Sequence, residues 1–140
     1  MSALDGISVG DVVAEARYPI SRDSLVRYAG ASGDFNPIHY RDDVALAAGL
    51  PGVLAHGMLT MGVAVQPVVD WLAGRGDVVE YGVRFTRPVV VDAVEGAELI
   101  VTATVGAVDP EAGTARIDLA VAVAGSTVLG KAQARVRLRG

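Results

Sequence analysis

Residues 57–73 read GMLTMGVAVQPVVDWLA, apolar on nearly every face at helical spacing. A helix that is hydrophobic all round is one buried on all sides, so this segment is expected to form a central helix, kinked or ended in its first part by Pro67. Beyond it the pattern changes to period two. Val79, Tyr81, Val83 and Phe85 alternate with Glu80, Gly82, Arg84 and Thr86; Leu99 to Val105, Ile117 to Val123 and Val128 to Leu138 repeat the alternation. Turn signals at Asp109–Pro110 with Gly113, and a tight hairpin at Gly125–Ser126, separate these runs and predict an antiparallel meander. Upstream, Ile7–Ile20 reads as an edge strand or lead-in, Ser21 as the cap of a helix over 22–31, and 33–55 as largely irregular with a short helix near Asp43–Ala48. The expected fold class is α+β, a single domain over residues 1–140 in which one curved antiparallel sheet wraps one long helix.

Composition narrows the function. Half of the 140 residues are hydrophobic, enough for a sizeable core. There is no cysteine, which removes disulfides, thiolate metal sites and cysteine nucleophiles, and fits an intracellular, cytoplasmic location. The N-terminal stretch MSALDGISVGDVV lacks the basic start and apolar block of a leader, and no apolar run is long enough to span a bilayer. A net charge of −4 without a basic block argues against nucleic acid.

The chain has two histidines. His39 closes GDFNPIH, where Asn36–Pro37 stiffens the loop between Asp34 and the imidazole. An acid and an imidazole aimed at one small volume are what proton transfer needs. Taken alone, however, D-x-x-x-x-H is more often a turn-capping aspartate beside a satisfied buried histidine. His56–Gly57 opens the long helix, whose first turn presents unpaired amide hydrogens and a partial positive charge suited to an oxyanion; an ordinary helix start explains it equally well in isolation. Together the two features point to chemistry at a thioester or similar carbonyl. Asp34, His39 and His56 match no metal-ligand spacing, GASGD lacks the second glycine of G-x-S-x-G, and no phosphate loop is present. Arg135, Arg137 and Arg139 share one strand face and read as a solvated edge, with an acidic carrier or a phosphate as the sharper option.

YAGASGDFNPIHYRDD followed by LPGVLAHGMLTMG resembles the MaoC-like, hydratase 2 group of the hot-dog fold, and among its members the actinobacterial (3R)-hydroxyacyl-ACP dehydratase B subunits. The motif residues here are Tyr28, Gly33, Asp34, Asn36, Pro37, Ile38 and His39. The resemblance implies a catalytic pair at Asp34 and His39, support from Asn36, and a thioester oxygen held by the backbone N–H of Gly57. His56 and Thr60 are further supporting candidates. It also implies reversible syn hydration of a trans-2-enoyl thioester with no metal or redox cofactor, CoA or acyl carrier protein being the substrate's handle. A serine that related hydratases carry on this helix is replaced by Val65, and Thr60 is the nearest hydroxyl. The expected partner is a second hot-dog subunit, identical or related. A hot-dog thioesterase and a non-catalytic partner subunit are the alternatives; retention of the motif speaks against both.

Overall fold

Ser21 both ends the first strand and starts the first helix. The computed structural model describes residues 4–140; Met1–Ala3, the first residues of the stretch read for a leader, lie outside them. Strand β1 spans Val12–Ile20 and helix α1 spans Arg22–Ser32. The Ser21 hydroxyl accepts from the Ser24 amide while the Ser24 hydroxyl accepts from the Ser21 amide, so two orphan donors are satisfied reciprocally. Gly33, with φ 79°, terminates α1 in the left-handed conformation. A 3-10 turn at Pro37–His39 and a short helix α2, Asp42–Ala47, interrupt the otherwise irregular stretch that follows.

Helix α3, Gly57–Leu72, continues through Pro67 instead of ending there. Thr60, Ala64, Pro67, Val68 and Leu72 form its buried stripe, and the helix touches all five strands. Burial on all sides is not what the chain shows: Met58 is 59% exposed and Val69 44%. One sheet covers one face of a helix, and the described residues supply no second layer for the other.

Strands β3 (Ala97–Asp109), β4 (Thr114–Val123) and β5 (Ser126–Leu138) form the expected meander. Strand β2, Gly76–Phe85, departs from it by pairing with β5 instead of β3, and β1 takes the place beside β3. The antiparallel order is therefore β1-β3-β4-β5-β2. The β2–β3 connection, residues 86–96, is too long for a tight hairpin and carries the chain back across the sheet. On its way it is zipped to residues 53–55: the Ala55 amide donates to Val89 O and the Val91 amide to Val53 O, both at 2.9 Å. The β4–β5 turn falls on Ala124–Gly125, one residue earlier than expected, with φ 49° and 79° as a type I′ turn requires. The register also slips at several points. A bulge near Val79 leaves that side chain 45% exposed, and in β5 Val128 and Leu129 are both buried ahead of Lys131, which sits at φ 43°. The core lies between α3 and the inner sheet face, with Leu99, Val101, Ile117, Val121 and Val136 fully buried. No helix of the described residues is long and apolar enough to cross a membrane.

Candidate active site

A run of local caps builds the loop between α1 and α2. The Asp34 amide donates to Ser32 Oγ at 3.1 Å, the Asn36 amide to Asp34 Oδ1 at 3.2 Å, and the Ile38 amide to Asn36 Oδ1 at 3.2 Å. Such side-chain-to-backbone bonds are what Asp and Asn offer a turning chain. The turn-cap reading of Asp34 and the proton-transfer reading are thus compatible: Oδ1 caps, while Oδ2 faces His39 Nε2 at 3.8 Å. The Asp34 side chain is half exposed, whereas that of His39 is only 10% exposed.

His39 Nδ1 lies 2.7 Å from the Leu54 carbonyl, which can only accept, so Nδ1 carries the hydrogen. Nε2 is then the one ring nitrogen able to exchange a proton beside Asp34. At 3.8 Å the pair is too far apart for a direct hydrogen bond and leaves room for an oxygen that bonds to both.

His56 is 2% exposed and lies beneath this pair. Its Nε2 donates to the Asp34 main-chain carbonyl at 3.1 Å, and its ring stacks on His39 with centroids 3.8 Å apart and planes 20° from parallel. Tyr28 from α1 meets the same ring edge-on at 4.8 Å. The His56 carbonyl accepts the Leu59 and Thr60 amides, at 3.1 and 3.2 Å, and those of Gly57 and Met58, at the head of α3, have no partner among the described residues. A Cβ on Gly57 would stand 3.0 Å from the Phe85 ring, so glycine keeps that approach open.

His39 and Gly57 line a cavity of about 300 Å³ together with Thr60, Phe85, Val128 and Leu129 among others, with Arg87 also at its wall; Asp34 reaches it only through His39, 3.8 Å away. Thr60 is buried, and its hydroxyl has no partner among the described residues. Asp34, His39 and His56 could each offer a ligand atom within 4.8 Å of the others. A single metal about 2 Å from both free imidazole nitrogens would have to lie in both ring planes, which near-parallel stacking forbids. Farther out, Arg22 bonds to Asp42, holding that carboxyl below its ordinary range, and donates to Val91 O at 2.7 Å, so α1 and α2 are tied to the crossover. Tyr81 of β2 donates to Met61 O of α3 at 2.7 Å, and burial pushes its phenol up to about 12. Arg135 pairs with Glu80 at 3.1 Å and Arg139 with Asp77 at 2.7 Å; the arginine face is solvated, but β5 lies between β4 and β2, so it is not the sheet edge that the sequence suggested.

The structure thus gathers Asp34, His39, His56 and Gly57, with Asn36 in the supporting loop and Thr60 one turn into α3. Sequence reasoning missed the Leu54 carbonyl and the Phe85 ring. The carbonyl has no side-chain signature, and Phe85 reads in the sequence as one more inward residue of a strand.

The MaoC like domain family matches residues 8–122. The chain is 41% identical over 77 residues to 3-hydroxyacyl-thioester dehydratase X of Mycobacterium tuberculosis, covering 55% of this chain and 26% of that protein. It is 32% identical over 123 residues to the (R)-specific enoyl-CoA hydratase of Rhodospirillum rubrum, covering 86% and 83%. A solved MaoC-like dehydratase superposes with TM-score 0.91 at 36% identity over 99% of this chain and 42% of the other. The (R)-hydratase from A. caviae involved in PHA biosynthesis gives TM-score 0.85 over 96% and 99%, and at 22% identity shows the fold alone. That fold is the hot-dog fold. The chain spans about a quarter of the first relative's length and 42% of the first solved structure's.

Proposed function

The chain belongs to the MaoC-like domain family, and from that membership we propose that it is a (3R)-hydroxyacyl-thioester dehydratase, working reversibly as an (R)-specific trans-2-enoyl-thioester hydratase. The observation that supports this is the imidazole–carboxylate pair, 3.8 Å apart, whose His39 lines the same cavity as Gly57 at the head of a 16-residue helix.

In hydration the pair holds one proton, on His39 Nε2, with Asp34 ionised. Water bonded to Asp34 attacks C3 and gives that carboxylate its proton. The C2=C3 π electrons move toward the thioester oxygen, where the Gly57 N–H and the helix dipole stabilise the enolate-like charge. His39 Nε2–H then protonates C2. The proton left on Asp34 returns to Nε2, and dehydration runs the same steps backwards. Supply of both protons from one side of the substrate gives syn geometry. The chemistry uses no metal or redox cofactor, and the carrier is CoA or acyl carrier protein. The partner is a second hot-dog subunit, identical or lacking the pair, seated on the side where β2 leaves its edge unpaired.

The test is absorbance at the enoyl-thioester band with crotonyl-CoA as substrate. Loss of the band with formation of the (3R)-alcohol, abolished in His39→Ala, is the expected result. Release of free thiol would assign a thioesterase instead, and neither signal from a folded protein would assign a non-catalytic subunit.

A further inference from the structure

We propose that His56 is a positioning residue whose side chain sets the acid and the base against each other at the head of α3. This rests on the function proposed above. Three contacts support it, each to a different part of the machinery. The Nε2–H of His56 holds the Asp34 carbonyl at 3.1 Å, fixing the main chain of the acid. The ring lies flat on His39 at 3.8 Å, fixing the plane of the base. The carbonyl takes the Leu59 and Thr60 amides, so the residue also sets the first turn of α3 and with it the Gly57 amide. The first two contacts belong to the His56 side chain and the third to its main chain.

The chemistry of the ring follows from its bonds. A carbonyl only accepts, so Nε2 carries the hydrogen, while Nδ1 is buried and has no partner among the described residues. The ring therefore holds the Asp34 main chain through its Nε2–H and meets His39 with its face, two contacts that variants can remove separately. The other groups that face His39 are the Asp34 carboxylate and, across the cavity, Arg87; Tyr28 faces His56 from the opposite side.

Three variants separate the contacts. His56→Phe keeps the face and loses the Nε2–H bond. His56→Leu loses both. His56→Gln loses the face and can still donate to the Asp34 carbonyl. With melts confirming the fold, all three should lower kcat by tenfold or more, with His56→Gln the least affected through the carbonyl anchor. The loss should fall on kcat, with KM for crotonyl-CoA within about threefold of the parent, and His56→Gln should recover at least about threefold of the rate lost in His56→Leu. A residue that only fills space would give His56→Gln no advantage, and equal kcat in His56→Gln and His56→Leu overturns the proposal. Imidazole nitrogen NMR gives a readout free of activity, because the chain has two histidines. The parent should show the His56 hydrogen on Nε2, bonded to the Asp34 carbonyl. A His56 with its hydrogen on Nδ1 refutes the inference even if hydration is confirmed. An inactive parent with the Nε2–H tautomer would instead overturn the proposed reaction and leave the positioning contacts intact.

Discussion

Asp34→Asn isolates chemistry from folding at this site. The Asn36 amide bonds to Oδ1 at 3.2 Å, and an asparagine carbonyl accepts that bond as well as a carboxylate does. The other bonds at this position, from its amide to Ser32 Oγ and from His56 Nε2 to its carbonyl, belong to the main chain and persist. The side chain is half exposed, so the substitution buries no new polar group. Stability should stay within about 0.5 kcal/mol of the parent. Activity should not: an amide cannot take the proton of the attacking water, and a lost general acid–base group costs about 10²- to 10⁴-fold, or about 3–5 kcal/mol of barrier. Asp34→Glu supplies the complementary arm. It keeps the charge but adds a methylene, about 1.5 Å of reach, into a 3.8 Å gap that must admit an oxygen. A carboxylate acting only as a distant charge would tolerate that change, whereas one that holds water should lose most of its rate. Crotonyl-CoA hydration and thermal melts on the parent and the two variants decide the matter. An Asp34→Asn variant within tenfold of the parent, at unchanged melting temperature, refutes the assigned role.

Three further outcomes follow from separate contacts. Burial raises the Tyr81 phenol from 10.0 to about 12, so folding favours its neutral form; that stabilisation is complete below pH 10 and is lost as pH rises towards 12, and urea midpoints across this range should fall less steeply in Tyr81→Phe than in the parent. Ala124 sits at φ 49° in a turn that prefers Asn-Gly, and Ala124→Asn should therefore stabilise the protein by about 0.5–1 kcal/mol, read as a higher melting temperature. The Phe85 ring, at 3.0 Å from a Gly57 Cβ, is an exposed side chain that can give way, so Gly57→Ala should keep the fold while the methyl beside the amide lowers kcat/KM of crotonyl-CoA hydration by about 10²-fold; undiminished hydration would place the oxyanion elsewhere.

Local chemistry in this chain was legible and long-range pairing was not. Ser21 announced α1 because a cap acts within one turn, and Asn36–Pro37 announced the stiff loop because each constrains its neighbours. The partner of β2 could not be read in the same way. Its alternation says only that one face is buried, and β3 and β5 alternate equally well. What decides the order is the length and route of residues 86–96, which are held by main-chain bonds to 53–55. The site divides along the same line. Asp34, His39 and Gly57 could be named as candidates from residue type and the family motif, while the Leu54 carbonyl that fixes the His39 tautomer is a backbone group any residue could supply.

The misread burial of α3 leads further than the misread strand order. Its sequence is apolar all round, yet one face of the helix, including Met58 and Val69, meets solvent in a single chain. Next to it, β2 leaves Val79 45% and Phe85 56% exposed along an open edge, and the Tyr81–Met61 bond locks the helix and that strand to each other. A contiguous exposed apolar face is the kind of surface that a partner covers. On the proposed pairing, the second subunit covers this side and turns an open edge into the middle of a longer sheet. The partner would then border the cavity at Phe85, the residue that stands over the Gly57 amide, so acyl specificity becomes a property of the pair. Mass measurement of the protein alone separates the two forms that such a pair can take. A dimer active on crotonyl-CoA makes the partner a second copy. A monomer that acquires activity only with a related subunit makes the complete cavity a joint product of two sequences.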